Sequence, residues 1–451
     1  MRDLRICKIF RTFAGEIINY KIMQILKNVF ILFLSLGIAV NLWAYDFEVG
    51  GLCYNIIPWG GPNAVEITSY TSTPWNGSNY DNLTSIAIPS TVDYDGSNYT
   101  VTHIGDYALA SCPRLTSVTI PSSVTSIGYG AFYNCSNLAS IVIPNSVTSL
   151  GDAAFWYCYS LTSVTIPEGI KSIGYATFGS CTSLTSITLP NSITSIGYAA
   201  FQSCTALASI DIPNKVTSIA EWAFYNCSEL RAVRIGKSVI TIGESAFHNC
   251  SHLTKIHIPA SAASIGTSAF EGCSALDTVL VENGNAIYDS RENCNAIIET
   301  ATHTLILGCR STIIPKNIIN IGYAAFIGCS SINAITLPAS IRAIDDYAFW
   351  QCTALSSLTC QASIVPTTGN SVFYNIPLSE ATLYVPETSL EEYKNAEQWQ
   401  DFGTISPLET AISDVEAPSS VHTQKRITDS QVLIIHNNQV YTITGAVVKI
   451  D

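Results

Sequence analysis

The sequence predicts a mostly β, α/β-type repeat solenoid built from 23-residue rungs. Three observations predict it. Cysteines recur every 23 residues from Cys112 to Cys273, and the register resumes at Cys329 and Cys352. Phenylalanines keep the same interval from Phe132 to Phe270 and return at Phe326 and Phe349. Between them, a short apolar segment ends in proline at Pro121, Pro144, Pro167, Pro190, Pro213 and Pro259, with Gly236 standing in once. A strict period of invariant length means that each unit stacks on a copy of itself and shares its apolar residues with its neighbours.

Each rung reads as three pieces. "LTSVTIP" (115–121) alternates apolar and polar, the pattern of a short strand with Leu115, Val118 and Ile120 inward. Pro121 ends it, because proline cannot donate to a ladder. "SVTSIG" turns the corner with Val124 and Ile127 inward, and Gly128 is expected to supply a backbone conformation closed to other residues. "YGAFYNC" is too short for a stable helix and reads as a 3₁₀ or single turn that plugs Ala131, Phe132 and Cys135 into the core. The cysteines act as small buried residues, and parallel stacked rungs suit disulfide geometry poorly, so free thiols are expected on the ladder.

The repeat C-x-x-L-x-x-[VI]-x-I-P-x-x-[VI]-x-x-I-G-x-x-A-F-x-x resembles the BspA-type leucine-rich repeat, also called the Treponema pallidum type, over about residues 84–375 with one interruption. The resemblance implies a leucine-rich repeat solenoid with a curved parallel sheet on its concave side and short 3₁₀ or helical turns on the convex side. It also implies an extracellular or cell-surface protein, since several members of the family are adhesins.

The remaining segments follow in chain order. Residues 1–44 read as a signal peptide: "NVFILFLSLGIAVNLWA" follows Lys27, ends at small Ala44, and allows Met23 as an alternative start. Residues 45–100 read as an N-terminal β cap, with Asp95-Gly96 at a hairpin turn. Rungs occupy 101–280 and 316–375. Between them, 281–315 is an elongated rung or hairpin in which "CNAIIE" and "TLILGC" flank a polar turn. Residues facing each other across that turn have numbers summing to 603, which pairs Cys294 with Cys309 as a candidate disulfide. Residues 376–410 read as a C-terminal cap, with a short helix opening near Thr388 or Ser389 and with Tyr393 and Trp399 closing the core. Residues 411–451 read as a polar linker and a terminal hairpin turning at Asn437-Asn438, either a plain terminal hairpin or one resembling the short β tails that end many secreted Bacteroidetes proteins, some of which serve as sorting signals.

Charge narrows the function. The chain carries a formal −13, and its first 44 residues hold six basic against two acidic side chains, leaving −17 on the remainder. That excludes nucleic acid, whose phosphates need clustered Lys and Arg. No catalytic motif, phosphate loop or C-x-x-C is present, so the reading is a non-enzyme without cofactor or metal. "HNCSHLTKIH" brings His248, Cys250, His252 and His257 close in sequence, but the repeat frame sends them to different faces.

The outward positions of the strands are more informative. Early rungs present mostly Ser and Thr (Ser117, Thr119, Ser140, Ser163, Thr165, Ser186, Thr188), with Val142 among them. Three later rungs present Asp211, Arg234, Lys255 and His257, about 4.8 Å apart, as a candidate ligand-binding patch. The expected role is adhesin-like recognition of an extracellular protein or glycan through the concave sheet. The alternatives are an envelope spacer without its own ligand and an enzyme acting on extracellular polysaccharide.

Overall fold

The computed structural model describes residues 45–69 and 80–408, together with the backbone of four strands between 423 and 448. The expected leader at 1–44, with Met23, lies outside the described residues, as does the Asn437-Asn438 turn. The chain forms a mostly β solenoid of about 13 turns with rungs of about 23 residues.

Each rung has three sides. The first is the predicted strand. Ser117–Thr119, Ser140–Val142, Ser163–Thr165 and Ser186–Thr188 pair in parallel and in step, so that Ser163 faces both Ser140 and Ser186. The middle residue of each strand is buried and its flanks are exposed, as the alternation requires. The corner expected at "SVTSIG" is instead a second strand, two residues long: Ser126–Ile127 pairs in parallel with Ser149–Leu150, one rung on. The third side consists of overlapping turns. Cys135 N–H returns to Phe132 O at 3.2 Å, while Phe132 N–H crosses to Ala154 O of the next rung at 2.8 Å. The stacking is therefore hydrogen-bonded on all three sides.

The structure assigns the ladder glycines a different reason from the expected one. Gly128 and Gly151 are not among the residues of positive φ; that conformation falls on turn residues such as Asn134, Ala153 and Tyr157. A Cβ on Gly151 would instead lie 2.4 Å from the carbonyl carbon of Gly128, so glycine lets successive backbones touch. The left-handed turn residues are held by bonds between rungs: Ala153 and Tyr157 donate to Tyr175 O and Gly179 O at 2.7 and 3.0 Å.

The core consists of two apolar clusters, one from Phe47 to Cys309 and one from Cys294 to Phe402, which meet at the elongated rung. The rings of Phe132, Phe155, Phe178, Phe201, Phe224, Phe247 and Phe270 stack with centroids 5.1–5.5 Å apart. At the N-terminal end, Phe47–Val49, Leu52–Ile56 and Ala64–Thr68 form an antiparallel meander whose last strand runs parallel to Ser97–Ile104, joining it to the second sheet. Asp95 and Gly96, both left-handed, turn Thr91–Tyr94 into Ser97–Ile104. At the other end, Leu390–Lys394 is the short helix, with Glu391 and Glu392 in its first turn. Tyr393 and Trp399 are buried, and the Tyr393 hydroxyl donates to Ala362 O at 2.8 Å.

Two expectations need correction. Cys294 and Cys309 are free thiols, and Cys309 Sγ lies 3.4 Å from Asn295 O. The pairing rule holds at Glu299–Thr304 and Ile298–Leu305, but a bulge beside Ile297 moves its partner to Leu307, so the cysteines beyond it are out of step. The polar linker is also shorter than expected. Thr423–Thr428 is a strand pairing antiparallel with Gln431–His436, which extends the terminal hairpin to a sheet of four strands.

Candidate binding surface

The sheet of longer strands falls into three segments, spanning residues 85–188, 209–281 and 334–407. The middle segment begins where the Ser/Thr rows end. Ser209–Asp211, Ala232–Arg234, Lys255–Ile258 and Thr278–Val281 are its four strands. Asp211 is the direct partner of Arg234, Ala232 of Lys255, and His257 of Leu280. Ile210, Val233 and Ile256 point inward and are buried, so period-two alternation sends Asp211, Arg234, Lys255 and His257 to solvent on one face. The structure thus brings the four predicted residues together. Arg234 Nε and Asp211 Oδ1 are 3.4 Å apart, with both side chains more than half exposed.

The patch is wider than the four residues. Arg231 precedes its strand and pairs with Glu229 at 2.6 Å, and His252 Nδ1 lies 3.8 Å from Glu229. Lys237 follows the same strand; its N–H donates to Asn214 Oδ1 at 3.2 Å, stacking it beside the turn that holds Lys215. Sequence reasoning confined to strand positions missed these rim residues. The signal that finds them is the three-residue spacing of "RAVRIGK".

The other residues of "HNCSHLTKIH" diverge. Cys250 points into the core and donates to Phe224 O at 3.3 Å. The His248 ring stacks on Tyr225 at 4.9 Å, on the turn side. The His252 ring nitrogen Nδ1 lies 2.7 Å from Ser228 O. Only His257 shares the strand face with Arg234 and Lys255.

The cysteine ladder has a role beyond filling space. Cys158 Sγ donates to Phe132 O at 3.2 Å, Cys181 to Phe155 O at 3.3 Å and Cys204 to Phe178 O at 3.1 Å. Each of these phenylalanine carbonyls also accepts the N–H of its own rung's cysteine, which uses both lone pairs. Burial raises the thiols: Cys158, Cys227 and Cys352 are pushed up to about 12, and Cys181 and Cys204 are raised in the same sense. Such thiols are protonated and unreactive.

Comparisons with known proteins agree with this architecture. The profile of the BspA type leucine rich repeat region matches residues 102–231, 194–304 and 298–397, in six copies. A leucine-rich repeat protein from Bacteroides ovatus is 26% identical, with a TM-score of 0.52 over 81% of this chain and all of its own. A leucine rich cell surface protein from Faecalibacterium prausnitzii is 24% identical (TM-score 0.46; 81% of this chain, 95% of that one). The leucine rich repeat protein of T. pallidum is 29% identical (TM-score 0.38; 51% of this chain, 90% of that one). No curated protein matches. Among the described residues, no helix is long and apolar enough to cross a membrane. With the profile spanning residues 102–397, well over half of the chain, the chain belongs to the BspA-type leucine-rich repeat family.

Proposed function

We propose that the protein is a secreted or surface-displayed recognition protein that binds an extracellular protein or glycan through its strand face, at the patch of Asp211, Arg234, Lys255 and His257. One observation supports this above the others. On a face otherwise made mostly of Ser and Thr, three adjacent strands of an acidic chain gather groups able to make charge-assisted hydrogen bonds. Secretion rests on the leader-like residues 1–44 and on the surface role that family membership suggests.

A spacer without its own ligand is the second reading. The observation that favours it is the Asp211–Arg234 ion pair, which neutralises half of the patch by itself.

A matrix-protein and glycan array probed with the full chain, wild type beside Arg234→Ala/Lys255→Ala, separates the two. Both side chains are exposed, so the double variant should fold like the parent. It should lose about 1–3 kcal/mol of binding, the scale of a modest hot spot. Changing Thr165 and Thr188 to Ala should matter less. A ligand held unchanged by the double variant and lost on the threonine changes would move the site to the Ser/Thr rows. No ligand on any array would favour the spacer.

A further inference from the structure

We infer that the ligand of the strand-face patch is an anionic polysaccharide, carboxylated or sulfated, laid along the rung that carries Arg231, Arg234 and Lys237; this rests on the recognition reading above and names its substrate class.

The first support is charge placement. Residues 215–255 hold five Lys or Arg, whereas residues 113–208 hold only Arg114 and Lys171. Arg231, Arg234 and Lys237 recur every third residue along one rung and are all exposed. From Arg231 to Arg234 the backbone runs along the strand, where three residues span about 10 Å, comparable to the length of a disaccharide; Lys237 follows in the turn. Lys255 and His257 lie on the next rung, and Lys215 sits beside the preceding turn. The carboxylates among them are Asp211 and Glu229, each already paired to an arginine. The balance on this face is positive, on a chain whose net charge is strongly negative.

The second support decides between a glycan and an acidic protein surface. Tight protein interfaces centre on buried aromatic and apolar anchors. In the rungs from Ser117 to Leu280, the outward strand positions carry no aromatic residue, and Val142, Ala232 and Leu280 are their only apolar side chains. Around the basic row lie the hydroxyls of Ser186, Thr188, Ser209 and Thr278, with Leu280 beside His257. A face of hydroxyls, guanidinium and ammonium groups matches a ligand of hydroxyls and carboxylates or sulfates.

The test measures binding of the full chain to heparin, to polygalacturonate, to neutral dextran and to a short oligo-glutamate peptide. At least one anionic polysaccharide should bind and dextran should not, with retention falling as salt is added. Arg231→Gln/Arg234→Gln/Lys237→Gln should weaken that binding roughly tenfold or more, since charge-assisted bonds are the strong ones. Lys215→Gln/Lys237→Gln, confined to exposed turns, gives a second reading should the triple variant fold poorly. Arg114→Gln/Lys171→Gln should change nothing. Equal binding of dextran, unchanged binding by both patch variants, or oligo-glutamate bound as tightly as the polysaccharides would each overturn the assignment. If the array finds a protein ligand sensitive to Arg234 and Lys255 while neither polysaccharide binds, the glycan inference fails and the recognition reading stands. If nothing binds in either experiment, both fail.

Discussion

Phe201 lies between the rings of Phe178 and Phe224, 5.5 and 5.2 Å away and nearly parallel to both. It has no exposed surface. Phe201→Ala removes ring contacts on two rungs at once and leaves a hole in a column that cannot collapse without breaking the stacking. It should destabilise by about 3–5 kcal/mol in chemical unfolding. Tyr198, only three residues away, stacks between Tyr175 and Trp222 but is 36% exposed. Tyr198→Ala should cost clearly less, and equal small losses at both sites would contradict the placement of the rung. Both positions were readable from period alone, because a side chain repeated at fixed spacing in stacked units meets its own copies. The thiol donation to the preceding rung's phenylalanine carbonyl was not readable. It depends on where one rung's backbone lies over the next.

At the scale of elements, the insertion shows how a local rule fails. The turn at Ala301-Thr302 and the alternating flanks were legible, and strands Ile297–Glu299 and Thr304–Leu307 form as expected. The bulge was not, because it answers to the neighbouring rungs: Asn295 Oδ1 accepts from Val279 N–H at 2.6 Å, and the Asn295 side-chain amide donates to Asp277 O. Asn295 is thereby anchored to the preceding rung beside the bulge, and Cys294 and Cys309 both stand as free thiols. Denatured protein kept under non-reducing conditions should therefore release both as alkylatable thiols. Mass mapping that recovers a linked 294–309 peptide would reverse this conclusion. The native protein should resist alkylation along the ladder.

For the whole molecule, the thiol column links stability to alkaline pH. Cys158, Cys227 and Cys352 are held near 12 in the folded chain against an ordinary value of 9.0. Below the ordinary value, folded and unfolded chains both keep these protons and the linkage contributes nothing. Between about 9 and about 12 the unfolded chain binds fewer protons, so stability falls as pH rises. Because Cys158 and Cys227 lie in one core cluster of stacked rungs, their losses should act together. Denaturant midpoints should hold steady up to about pH 9 and then drop steeply. Replacing Cys158 and Cys227 by Ala should blunt that drop while lowering stability at neutral pH. A midpoint insensitive to alkali in the parent would contradict the buried placement of the column.

The sequence by itself determined the rung. Its length, inward residues, proline stops and aromatic column follow from a strict period, since identical units can bury their apolar sides only against each other. It also determined that Asp211, Arg234, Lys255 and His257 share a face, because alternation along a strand and identity of register leave no other place for them. The tertiary structure decided what depends on the contact between one backbone and the next. The short second sheet, the third side held by crossing turn bonds, and the glycines kept small for touching rungs all arise there. So do the bulge that frees Cys294 and Cys309 and the inclusion of Arg231, Lys215 and Lys237 in the patch. Those features turn on distances between chain segments 23 or more residues apart, which a pattern of residue types specifies only after the segments have packed.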